Sequence, residues 1–116
     1  MRLKNVLLVV SDIEQSKRFY HDLFGLQIVR DFGDNVILSE GLVLQGQTNW
    51  EQLIDTHTVT GNASELFFEE NNLDAFLLSA NAYGVEFVGT VRVNSWGKRA
   101  VMLKDPDGHL IEVAES

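Results

Sequence analysis

One order of elements is written twice in this sequence, and that repeat restricts the possible folds more than any single motif. The first copy opens with an apolar run from Leu3 to Val10, followed by Ser11-Asp12-Ile13-Glu14. That tetrad is a capping-box pattern, with Ser11 placed to reach the Glu14 amide. Apolar residues then recur at a helical period through Ile13, Phe19-Tyr20 and Leu23-Phe24, and Gly25 supplies the stop. Three short strands follow, Gln27 to Phe32, Asn35 to Ser39 and Leu42 to Gln47, divided by the turn-forming Gly33-Asp34 and Glu40-Gly41.

The second copy repeats this order. A strand from Ser64 to Glu70 leads to the cap Asn71-Asn72, and Leu73, Phe76, Leu77 and Ala80 mark a helix that ends at Tyr83-Gly84. Strands are expected at Glu86 to Arg92, Arg99 to Lys104 and His109 to Ala114. The repeat predicts an α+β protein of two tandem β-α-β-β-β modules in a single domain. Module one covers about 1–47, a polar connector about 48–63, and module two about 64–116. The connector contains Trp50 and predicts a short helical turn over Glu51 to Ile54. A link of this length in a small chain points to a functional segment or an interface.

At 116 residues the chain is long enough to bury a core of its own. It has no cysteine, which excludes disulfides, thiolate metal sites and a cysteine nucleophile together. A formal net charge of −8 argues against nucleic-acid and anionic-membrane partners, both of which reward basic surfaces. No apolar run approaches the length of a membrane span, and Met1-Arg2-Leu3 leads straight into a strand without a signal-peptide pattern, so a cytoplasmic location is expected.

Asp105-Pro106-Asp107-Gly108 is a tight turn between apolar runs, and it delivers Glu112 into a strand between Ile111 and Val113. Two readings of Glu112 are open. It is either a solvent-facing residue on a half-exposed strand or a carboxylate whose burial is compensated by something it binds.

Val10-Ser11-Asp12-Ile13-Glu14 leading to Phe19-Tyr20 and Phe24-Gly25-Leu26 resembles the opening module of the vicinal oxygen chelate superfamily, which includes glyoxalase I, extradiol dioxygenases and bleomycin-binding proteins. Trp96-Gly97, Arg99 and Asp105 to Glu112 resemble its closing module. The resemblance implies a U-shaped, mixed but mainly antiparallel sheet whose concave face holds a ligand. It also implies a homodimer, because family members of this length usually pair. Enzymes of the superfamily place metal ligands on the first and last strand of each module. Carried over by position, those slots hold Asn5, Gln45, Glu65 and Glu112 here, with Gln45 standing from Gly41 as Glu112 stands from Gly108.

Strand parity supports the same set independently. Side chains alternate faces, so each candidate sits opposite its apolar neighbours, and Leu7, Val43, Gln47, Phe67, Glu69, Met102 and Leu110 share the candidates' faces. Chemically, the four offer only oxygen donors, of which Gln45, Glu65 and Glu112 are the metal candidates. Such a set suits a hard divalent ion better than a transition metal. None of the three histidines is placed to help: His21 lies on the first helix, His57 in the connector, and His109 on the far side of Glu112's strand. No cofactor is therefore favoured. The favoured function is a small-molecule binding protein for a cationic or polar ligand, held in an acidic, aromatic-lined cleft by Asn5, Gln45, Glu65, Phe67, Trp96, Met102 and Glu112, with Trp50 as a further stacking face. The alternatives are a metal-dependent lyase, isomerase or dioxygenase with an oxygen-rich site, and a domain that uses the fold only for interaction. Two carboxylates facing one another across a semi-apolar cleft, as Glu65 and Glu112 are expected to do, need a cation between them or a retained proton.

Overall fold

The computed structural model of the chain describes residues 1–58 and 63–116. The chain divides into two compact units, Met1–Val59 and Thr60–Ser116. Each is one β-α-β-β-β module, as the repeat predicts. The last part of the expected connector, residues 59–62, lies outside the described residues.

In unit one, β1 (Val6–Val10) leads into α1 (Ile13–Phe24), followed by β2 (Ile28–Asp31), β3 (Asn35–Leu38), a 3₁₀ turn at Ser39–Gly41, and β4 (Leu42–Gly46). The sheet order is β1-β4-β3-β2. The first strand therefore pairs in parallel with the last, and the remaining pairs are antiparallel. One face of this sheet carries Val10, Val36, Leu38 and Leu44, all fully or almost fully buried together with Phe19 and Tyr20 of α1. The two rings meet edge to face at 5.0 Å, a favourable aromatic geometry.

The ends of α1 show which sequence signals mattered. Gly25 takes φ 71° at the C-cap, the left-handed conformation that closes helices with glycine. At the other end the cap is Asp12 rather than Ser11. Asp12 holds the extended N-cap conformation, and its carboxylate accepts from the Gln15 amide at 3.1 Å, where a negative charge also complements the helix dipole.

Two further expectations shift in unit one. The opening strand begins at Val6 instead of Leu3, because the parallel ladder starts at the Val6–Leu42 pair. The connector is more helical than expected: β4 stops at Gly46, and Gln47 opens an eight-residue helix, α2 (Gln47–Ile54), instead of ending a strand.

Unit two repeats the plan with β5 (Glu65–Glu70), α3 (Leu73–Tyr83), β6 (Glu86–Val93), β7 (Arg99–Lys104) and β8 (Leu110–Glu115), in the order β5-β8-β7-β6. Again the first and last strands run parallel and the other pairs antiparallel. Leu73, Phe76 and Ala80 of α3 are buried, as are Val101, Leu103, Ile111 and Val113 on one face of the sheet. Asn72 caps the helix through the Ala75 amide, and Gly84 closes it at φ 83°. Arg99 ties strand to helix, donating to Asp74 at 3.0 Å and to Glu115 at 3.1 Å. Among the described residues no helix is long and apolar enough to cross a membrane.

Candidate functional site

The Asp105-Pro106-Asp107-Gly108 turn forms as the sequence dictates and aims β8. The Asp105 carboxylate accepts from the amides of Asp107 and His109, both at 2.9 Å, and Gly108 takes φ 86°. Four residues on, Glu112 stands on the sheet face away from α3, level with Phe67 on β5 and Met102 on β7. It is only 7% exposed, which removes the solvent-facing reading.

Arg92 of β6 compensates that burial. Its Nη2 donates to Glu112 Oε1 at 3.1 Å, while the guanidinium side chain stays 47% accessible. The register slip between Val88 and Arg92, where β6 carries extra residues against β7, brings Arg92 level with Ala100 on this face. Ala100 and Ala114 beneath it are small and buried, so a long side chain can lie across them towards Glu112. The cation that the two carboxylates require is thus supplied by the chain itself.

Glu65 is the second carboxylate. It does not face Glu112 across a cleft: both lie on one sheet, on the adjacent parallel strands β5 and β8, with Glu65 two residues before Glu112's partner Phe67 and on the same face. Partial desolvation raises the Glu65 carboxyl above its ordinary value. The Glu112 charge and a hydrogen bond to Glu112 raise it further, and the Arg92 charge opposes them.

An aromatic pair borders these charges. Trp96 sits in the β6–β7 turn, where Asn94 Oδ1 accepts from the amides of Trp96 and Lys98. Its ring lies 6.2 Å from that of Phe67, and both rings remain substantially exposed. Arg92, Glu112, Phe67 and Trp96 thus form one continuous patch, with Glu65 and the half-buried Met102 beside it.

Unit one carries the remaining candidates. Gln45 is the repeat counterpart of Glu112, four residues beyond Gly41, which has φ 80°. It is also 7% exposed, and its Oε1 accepts from Asn35 Nδ2 at 2.8 Å. A cavity of about 460 Å³ beside it is lined by Asp34, Gln45, Asn49, Gln52 and Leu53. Asn5 falls one residue before β1, half-buried, and Trp50 is half-buried on α2. Sequence reading places Gln45 on the face shared with Leu7 and Val43, and β4 does so.

A glyoxalase-like domain model matches residues 3–116, which is nearly the whole chain. The chain belongs to the glyoxalase-like domain family. It is accordingly a member of the vicinal oxygen chelate superfamily, as its two motifs suggest. A crystal structure of a protein of unknown function from Agrobacterium tumefaciens is 36% identical, with a TM-score of 0.87 over 100% of this chain and 94% of that one. A glyoxalase/bleomycin resistance protein/dioxygenase family enzyme from Burkholderia phytofirmans is 20% identical at TM-score 0.86, covering 99% of this chain and 98% of its own. A lactoylglutathione lyase from Agrobacterium tumefaciens is 22% identical at TM-score 0.73, covering 97% and 91%. These two likenesses carry the fold alone. No curated protein matches the chain in sequence.

Glyoxalase-like folds often hold a divalent metal, and the donors of this chain do not fit one. Glu112 already accepts from a guanidinium, whose positive charge would repel an incoming cation, and the Gln45 oxygen, a weak neutral donor, already accepts from Asn35. Among the described residues no three histidine, aspartate or glutamate side chains cluster as a metal site would require.

Proposed function

We propose that this glyoxalase-like protein binds a polar small molecule on the open face of the unit-two sheet, without a transition metal, and that it works as a homodimer. The observation that carries the reading is the Arg92–Glu112 pair lying beside the exposed Phe67–Trp96 rings. A half-exposed guanidinium, a titratable carboxyl at Glu65 and two stacking surfaces are the mixture that small-molecule sites use to hold and orient a ligand. Binding rather than turnover fits the side chains of this patch, where no nucleophile stands beside a base.

Thermal-shift screening of a library of polar aromatic compounds tests the reading. Hits should be lost in Trp96→Ala and in Glu65→Gln/Glu112→Gln, and retained after exhaustive chelation. Hits that survive both variants would place the site elsewhere, and hits that need added divalent metal would favour a metalloenzyme. For the dimer, sedimentation at micromolar concentration should give twice the chain mass, and a clean monomer would refute it.

A further inference from the structure

The patch on unit two does more than attract charge: its groups differ in what they donate and accept. Arg92 has five N–H donors and Glu112 engages it through one nitrogen, Nη2. The side chain is 47% accessible, so further donors can meet an incoming acceptor. Glu65, on the neighbouring strand and exposed, offers oxygens that accept. Phe67, directly level with Glu112, and Trp96 supply flat apolar surface. Within the ion pair the charges of Arg92 and Glu112 cancel, and Glu65, whose carboxyl partial burial and the Glu112 charge hold above its ordinary value, is the remaining titratable group of the patch. A chain carrying −8 overall repels anions at long range, and the guanidinium beside Glu112 disfavours cations at contact.

Resting on the small-molecule reading above, we propose that the ligand is a neutral, planar heteroaromatic lactam, a ring carbonyl beside a ring N–H. The ring lies against Trp96 and Phe67. Its carbonyl accepts from Arg92, and the adjacent N–H donates to the Glu65 carboxyl. Nothing ionises in this arrangement, and each polar atom of the ligand edge finds a complement. A lone cation would offer nothing to the N–H groups of Arg92 that Glu112 does not engage, and a lone anion would offer no donor to Glu65. The aromatic surface adds binding that does not distinguish between rings, so the donor–acceptor edge sets selectivity.

The test uses four bicyclic probes of similar size: quinazolin-4-one, which carries the lactam; quinazoline, which lacks it; 2-naphthoate, an anion; and 2-naphthylmethylammonium, a cation. In Trp50→Phe protein, Trp96 is the sole tryptophan and its fluorescence quenching reports occupancy. Quinazolin-4-one should bind at least about tenfold tighter than the other three, the scale of one hydrogen bond to a charged group. Arg92→Gln should erase that preference, so that quinazolin-4-one binds no tighter than quinazoline. Arg92→Lys, which keeps the charge partner of Glu112, should reduce the preference several-fold and guards against misfolding of the glutamine variant.

Tighter binding of the cation or of the anion would overturn the lactam assignment while leaving the small-molecule site standing. Equal affinities for all four, or a preference that survives Arg92→Gln in folded protein, would also overturn it. If no probe quenches Trp96, the lactam assignment falls, and the library screen decides the small-molecule reading by itself.

Discussion

Replacing Arg92 by methionine is the most direct probe of this arrangement. The change keeps the length of the stem and removes the guanidinium, leaving Glu112 buried beside Glu65 with no cation near it. Two unit charges at the observed 3.1 Å attract by about 5 kcal/mol at an effective dielectric of ~20. Desolvation of Glu112 and ordering of the Arg92 side chain offset most of that. Exposed pairs are worth below about 1 kcal/mol, whereas stripping the partner from a buried charge costs about 3–5 kcal/mol. With one partner nearly buried and the other half-exposed, the cost of Arg92→Met should fall near 2 kcal/mol at neutral pH.

A double-mutant cycle with Glu112→Gln, read by urea denaturation, should return a coupling of about 1–2 kcal/mol. The penalty of Arg92→Met should also be smaller at pH 5 than at pH 8. Arg92 holds the Glu65 carboxyl down, so its loss raises that group further in the folded protein. A carboxyl raised by folding loses stability as the pH climbs through its folded value. A coupling below about 0.3 kcal/mol, within the error of additivity, would show that Arg92 is solvated and that the burial of Glu112 has another cause.

Glu65→Gln should match the wild type well below the ordinary carboxylate value, where the carboxyl is protonated in both folded and unfolded chains, and should become the more stable protein as pH rises past that value; a wild-type advantage at pH 7.5 in urea titrations would contradict the raised carboxyl. Asp105→Ala removes the acceptor for the Asp107 and His109 amides at a buried position and should cost about 1–3 kcal/mol, with Asp105→Asn milder, as measured by thermal unfolding. Exhaustive chelation should leave both the melting temperature and the affinity for any hit from the polar screen unchanged, as followed by calorimetry; a drop restored by a divalent ion would refute the metal-free reading.

The fold was legible because its signals are local and repeated. Gly25 and Gly84 end their helices in the left-handed conformation, Asn72 caps the second, and Asp105 to Gly108 turns β7 into β8. Where neighbouring signals competed, the sequence left a choice that geometry made. Ser11 and Asp12 are both good caps, and the residue in the extended position took the role. The strand positions of Gln45 and Glu112 follow from parity and from their distance to a turn glycine, and β4 and β8 keep both.

Arg92 was missed for a physical reason: its meeting with Glu112 depends on the slip in β6, and no local propensity reports cross-strand register. A signal was present all the same. Arg92 is the first lysine or arginine after Arg30, a lone cation in an apolar strand of the same module as Glu112, the carboxylate between Ile111 and Val113.

The parallel pairing of first and last strands has a consequence for synthesis. Inside each unit β1 bonds only to β4, and β5 only to β8. On the ribosome, then, the opening strand of each module must wait, unpaired, until the closing strand emerges. Helix and hairpin can form in the meantime, since they are local, but the apolar Val6–Val10 segment has no ladder to join until Leu42–Gly46 has been made. Module one can close before module two is translated, so the two waiting periods fall in succession. A chain stalled or cut between β7 and β8 would strand β5 entirely, taking with it Phe67, Glu65 and the Glu112 to which Arg92 binds.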